Sequence, residues 1–163
     1  MKPLDVRGLA NLILDVASEI GVPATNLGLN KIAYFLHGWF LAKKGRPLVT
    51  AKIEAWEYGP VFREIYFEFK GFGSNPVTTR AKKINVETGE KEICAYQLPK
   101  EEEEFLRGLA EKYLRIRPGR LVDLSHAQDG PWYQAWFHDG NVNPGMEIDQ
   151  SAIEQFFAGQ VRH

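Results

Sequence analysis

The sequence is poor in cysteine. It has one, Cys94, in 163 residues, so no internal disulfide can form. That excludes a disulfide-stapled secreted scaffold and fits a reducing cytosol. An excess of either charge is also missing. Twenty Lys and Arg stand against 21 Asp and Glu, for a net charge of −1 and a pI near 6.4. A whole-surface attraction to nucleic acid is therefore not expected, although a local patch is not excluded. No long hydrophobic run exists. The most apolar stretch, Leu27 to Ala42, is broken at Asn30-Lys31 and at His37-Gly38, too soon to span a bilayer, which takes roughly 20 apolar residues. Met1 to Asp5 lacks the apolar core of a signal peptide. Internal repeats and low-complexity linkers are absent, and the length suits one domain over residues 1–163.

Enzyme signatures are equally scarce. No Walker-type loop, His-Glu-x-x-His or Cys-x-x-Cys occurs. Gly71-Phe72-Gly73 lacks the third glycine of a dinucleotide loop and follows a helix instead of a strand. Cys94 has no base preordained beside it and reads as an incidental thiol. Ser125 and His126 are neighbours in sequence, so a helix points them about 100° apart, a poor nucleophile–base pair. His37, Glu54, His126 and Asp129 are too scattered to suggest a metal site, which needs three or four converging ligands. No cofactor or metal is expected.

What is present is a strongly specified helical core. Asp5 caps a predicted helix from Val6 to Ile20, whose Leu9, Leu12, Ile13, Val16 and Ile20 make one buried face. Thr25 or Asn26 caps a second helix that runs to Gly45. Its residues Leu29, Ile32, Leu36 and Phe40 form one stripe, and Phe35, Trp39 and Ala42 form another beside it. A helix apolar on most sides is a buried one. One polar seam, Asn30, Tyr34, His37 and Lys44, runs along it. An extended piece follows at Ile53 to Val61, and Pro60 suits the first turn of a helix reaching Lys70. Phe62, Ile65, Tyr66 and Phe69 face its core, whereas Phe67 falls between Arg63 and Glu64 on the polar face. Val77–Val86 and Lys91–Leu98 read as a β-hairpin turning at Glu87-Thr88-Gly89-Glu90. Arg80, Lys82 and Lys83 make its first strand basic, as a solvated edge or a dock for an acidic partner. Four glutamates, Glu101 to Glu104, open a helix from Pro99 and complement its dipole. Its buried face is Phe105, Leu106, Leu109 and Tyr113. Shorter helical stretches follow at Arg120–Ala127 and Trp132–Phe137, then a loop from Asn141 to Gly145. A last helix starts at Asp149 or Ser151, with Ser151 and Glu154 at capping-box spacing, and the end at Arg162-His163 is expected to fray. The fold class is mainly α (α+β): a bundle of about six helices over residues 5–73 and 99–158, with a small hairpin at about 77–98.

Two linked blocks carry a family resemblance. The first is Tyr34-x-x-His37-Gly38-Trp39-x-x-Ala42-x-x-Gly45-x-Pro47-Leu48, then Glu54-Ala55-Trp56-x-Tyr58-Gly59-Pro60-Val61, then Tyr66-x-x-Phe69-Lys70-x-x-Gly73. The second is Leu124-Ser125-His126, then Gly130-Pro131-Trp132 and Ala135. Together they resemble the Panacea domain, the phage-associated SocA-like antitoxin family, although this chain has Ser-His where the family often has Thr-His before Pro-Trp. The resemblance implies a non-enzymatic, cytoplasmic, bacterial or prophage-encoded antitoxin. It would neutralise a cognate toxin, encoded nearby, by direct contact, and some members deliver the toxin to a protease. Aromatic residues, 12% of the chain, are the usual energetic centres of interfaces. Trp39, Trp56, Tyr58, Phe67 and Trp132 are the candidates for a partner surface or its support. His37, Glu54, Ser125 and His126 are the polar residues of the motifs. The alternative reading is an enzyme of unrecognised type, with His37, Glu54 and His126 lining one cleft.

Overall fold

The computed structural model describes residues 2–160; the expected fraying at Arg162-His163 lies outside them. The first helix, α1 (Val6–Ile20), starts where the Asp5 carboxylate accepts from the Arg7 N–H. The second, α2 (Asn26–Lys44), starts where the Thr25 hydroxyl accepts from the Gly28 N–H at 3.1 Å. Both N-termini are set by side-chain acceptors that satisfy otherwise unpaired N–H groups. Because α2 carries apolar residues nearly all round, it can be stable only when wrapped on every side. It is: α1, strand β2 (Gly59–Val61) and helices α3 (Arg63–Phe69), α4 (Lys100–Leu114), α5 (Pro118–Ser125) and α7 (Gln150–Gln160) all pack on it.

The segment after α2 differs from the expectation. Instead of one extended piece leading into a helix at Pro60, Glu54–Trp56 (β1) and Gly59–Val61 (β2) pair antiparallel through a tight turn at Glu57-Tyr58. Helix α3 is short, Arg63–Phe69, followed by a 3₁₀ turn at Lys70–Phe72. Pro60 is tolerated in β2 because β2 is an edge strand, where a missing N–H leaves no ladder bond unmade. A third strand, β5 (Met146–Glu147), pairs with the other side of β1. It sits just beyond the stretch read as loop, and its two residues are too few to show a period-2 pattern.

The hairpin is present but shorter than expected. Only Lys82–Ile84 (β3) and Lys91–Ile93 (β4) pair, with Gly89 in the turn at φ 73°. Its base is pinned by a buried side chain from α1. Asn11 donates to the carbonyls of Ala81 and Cys94 at 3.0 and 2.8 Å and accepts from the Ala81 N–H at 2.7 Å. Arg80 does not face solvent freely; it binds Asp15 at 2.8 Å. Cys94 is buried beside this junction.

The remaining helices are α4 (Lys100–Leu114), α5 (Pro118–Ser125), α6 (Pro131–Trp136) and α7 (Gln150–Gln160). Asp149, not Ser151, caps α7, accepting from the Ala152 N–H at 3.0 Å. Phe105 and Leu109, expected in the core, are only partly buried, and Lys43 lies 4.2 Å over the Phe105 ring. One of the four glutamates at the start of α4 does more than complement a dipole. Glu102 is buried and accepts from Arg46 at 2.6 Å. The fold is mainly α with two small antiparallel sheets.

Candidate functional site

The aromatic candidates do not share one environment. Trp132 is buried on α6, stacked between His126 (3.8 Å) and Trp136 (5.5 Å). Its Nε1 donates to the Trp56 carbonyl at 2.8 Å, so it fixes β1 from behind. Trp39 is half-buried, donates to the Tyr113 hydroxyl at 2.7 Å and meets Phe157 edge-on at 5.1 Å. Trp56, Tyr58 and Phe67 lie elsewhere, on one outer face made by the β1–β2 turn and α3. Trp56 packs against Tyr66 at 4.8 Å, and Tyr66 against Phe67 at 5.1 Å. Tyr58 is 61% exposed and Phe67 50% exposed. Arg63 and Lys70 approach the Phe67 ring at 5.2 and 5.7 Å. Glu54 belongs to this face as well: it accepts from Trp56 Nε1 at 2.9 Å and lies 3.7 Å from Arg63.

The polar motif residues divide differently. His37 is buried in α2 with its Nδ1 unpartnered among the described residues. Burial pushes its imidazole down to about 4, so it is neutral at pH 7. His126, on the α5–α6 connection, is lowered by burial first and by the Lys31 ammonium second. Ser125 is buried and donates to the Val122 carbonyl at 2.8 Å. Glu54 lines a shallow cleft with Lys52, Arg63, Glu64 and Phe67, and neither histidine lines it. Among the described residues no three His, Cys, Asp or Glu groups are placed to hold a metal ion.

Lys31 is the residue that sequence reasoning passed over. Treated there as a polar break in α2, it is fully buried. Its Nζ donates to the Pro60 carbonyl at 2.8 Å. No carboxylate pairs with it among the described residues, and burial alone pulls its ammonium down to about 7. The signal was available: a helix apolar all round has no solvent face on which a lysine could lie. Gly59 explains how the chain closes over it. At φ 113° this residue has a backbone that side chains rarely adopt, and a Cβ there would fall 2.8 Å from Lys31 Cε and 2.5 Å from Ser125 Oγ. The Gly59-Pro60 pair of the motif is thus the lid over Lys31, with Ser125 on its other side. Above this region, Leu27, Asn30 and Lys31 of α2 and Trp56, Glu57 and Tyr58 of the turn enclose, with Val61 and Tyr66, a pocket of about 310 Å³. Asn30 braces it, accepting from the Phe62 N–H at 2.9 Å and donating to Asn26.

Comparison with known proteins bears on this arrangement. Residues 29–133 match the family described as "Antitoxin SocA-like, Panacea domain", a span that holds most of α2, the β1–β2 turn, Lys31, Ser125 and Trp132. The chain is 36% identical over 161 residues to Antitoxin SocA of Caulobacter vibrioides (strain NA1000 / CB15N), covering 96% of this chain and 84% of that protein. No solved structure matches. No helix among the described residues is long and apolar enough to cross a membrane.

Proposed function

The chain belongs to the SocA-like antitoxin family that carries the Panacea domain, and from that premise we propose that it neutralises a cognate toxin protein by direct contact through the Trp56–Tyr58–Phe67 face. The single observation that carries the choice of face is its exposed aromatic content. A phenylalanine half exposed on a helix, with a tyrosine 61% exposed on the neighbouring turn, is the kind of anchor that dominates interface energies. The base of the face is anchored from behind. Trp132 holds the β1 backbone at the Trp56 carbonyl, and the Tyr66 ring packs between Trp56 and Phe67. Arg63 and Lys70 beside Phe67, with Glu54 next to Arg63 and Glu57 and Glu64 nearby in the chain, give the rim both charges, which suits a protein partner's mixed surface. The protein acts without chemistry of its own, in the cytosol, on a toxin encoded beside it.

The test is co-expression of the tagged chain with the product of the adjacent gene. The wild type co-purifies with that product. Phe67→Ala and Tyr58→Ala lower the yield of complex at least tenfold while their melting temperatures stay close to the wild type. Loss of binding together with loss of fold would place Phe67 in the core; retained binding in both variants would move the interface elsewhere. Delivery of the bound toxin to a protease is read in the same cells, as a shorter toxin half-life when the chain is present.

A further inference from the structure

We infer that the pocket over Lys31 is a receptor for a chain-terminal carboxylate carried by an apolar residue, supplied by the C-terminus of the partner protein. This rests on the antitoxin reading only for who supplies the terminus; the recognition chemistry stands apart from it. Three observations lead here. First, the pocket walls are mostly apolar: Leu27, Trp56, Tyr58, Val61 and Tyr66 surround a space of about 310 Å³, near the lower end of the roughly 300–1,000 Å³ typical of ligand sites. Second, a fully buried lysine lines the pocket from the α2 side. An ammonium has three N–H donors, and among the described residues this one meets a single acceptor, the Pro60 carbonyl. Buried charges are ordinarily paired or relieved by loss of the charge, and a carboxylate entering the pocket would supply the pairing that the fold itself leaves out. Third, no neighbour supplies a negative charge. Glu57 is exposed at the tip of the turn, and Ser125, Asn30 and His126, whose imidazole is held down by burial and by the Lys31 ammonium, carry none.

The combination selects the occupant. An internal Asp or Glu brings a carboxylate but no apolar side chain of its own. An internal Leu or Phe brings the reverse. A terminal apolar residue brings both within a few ångströms. The ammonium is out of contact with solvent, so engagement requires the Glu57-Tyr58 turn to move outward as the terminus enters.

The test uses three short peptides on the full chain, followed by NMR shifts and Trp fluorescence at pH 6.5: acetyl-Ala-Ala-Phe with a free carboxylate, the same peptide as its carboxamide, and acetyl-Ala-Phe-Asp-Ala-amide. The free-carboxylate peptide is expected to bind at least tenfold more tightly than the other two, with shifts at Leu27, Tyr58 and Tyr66. Lys31→Met, whose fold is checked by circular dichroism, is expected to erase the difference. Tyr58→Ala, far from the buried core, is expected to weaken the free-carboxylate peptide in a chain that keeps Lys31. Equal affinity for acid and amide, equal affinity for the internal aspartate peptide, or no binding by any of them overturns the inference. None of these outcomes bears on whether the chain binds a toxin, which the co-purification reads by itself.

Discussion

Replacing Lys31 with methionine is expected to stabilise the protein at neutral pH, an unusual result for a change in the core. In the unfolded chain this ammonium titrates near 10.5, and in the folded protein near 7. The folded value is the lower one, so burial opposes the charged form. Below pH 7 both states carry the proton and the full cost falls on the fold. Between 7 and 10.5 the unfolded state holds the proton and the folded state does not, so rising pH favours folding; above 10.5 the cost is gone. At 1.36 kcal/mol per pH unit, the gap corresponds to about 5 kcal/mol below pH 7. Methionine fills similar space without charge but leaves the Pro60 carbonyl without its donor, which costs about 1–3 kcal/mol. The variant is therefore expected to gain about 2–4 kcal/mol at pH 6.5. Urea unfolding of both proteins at pH 6.5 and 9.5 measures this. The wild type should gain about 3 kcal/mol on the variant between the two pH values. Taking the difference cancels the titrating groups that do not sense Lys31; His126 does sense it, and its contribution is removed by repeating the pair in a His126→Gln background. Parallel pH dependences would refute the claim that Lys31 is buried as an uncompensated cation.

Other substitutions test the packing around it. Gly38→Ala would bring a Cβ within 2.2–2.6 Å of three Phe157 ring carbons, and overpacking of this kind should cost about 3 kcal/mol, seen as a lower Tm that Phe157→Leu partly restores. Asn11→Leu removes three hydrogen bonds at the base of the hairpin; a loss of about 3 kcal/mol is expected, with faster amide exchange at Ala81 and Cys94. Trp132→Phe keeps the ring stacked on His126 and removes only the bond to the Trp56 carbonyl. It should cost about 1 kcal/mol and weaken partner binding through the loosened β1–β2 turn.

The helices were legible because their signals are local. Leu9, Leu12, Ile13 and Val16 declare a buried face by spacing alone, and Asp5 and Thr25 declare where helices begin. The β1–β2 pair and β5 were not. Strands of two or three residues carry no periodicity, and their pairing is decided by packing against α2 and α6. Phe67 stood out by falling on the polar face of α3, and it is exposed. Trp39, Trp56 and Trp132 could not be separated by sequence, since a tryptophan reads alike whether its Nε1 meets Tyr113, Glu54 or the Trp56 carbonyl. His37, Glu54 and His126 looked equivalent as polar motif residues, yet they occupy different surroundings. Lys31 looked like an interruption and sits against Gly59 with Ser125. Its burial was implicit in a helix that leaves no solvent face, whereas the closure of Gly59 and Ser125 over it is displayed only by the packed structure.

The most direct test of the central claim is a growth assay in which the adjacent gene is induced alone, with this chain, and with its Phe67→Ala variant at equal protein levels. The account requires growth arrest by the neighbour alone, rescue by the wild-type chain, and weakened rescue by the variant. Arrest that the wild-type chain does not relieve, or a neighbour that is harmless by itself, would contradict it.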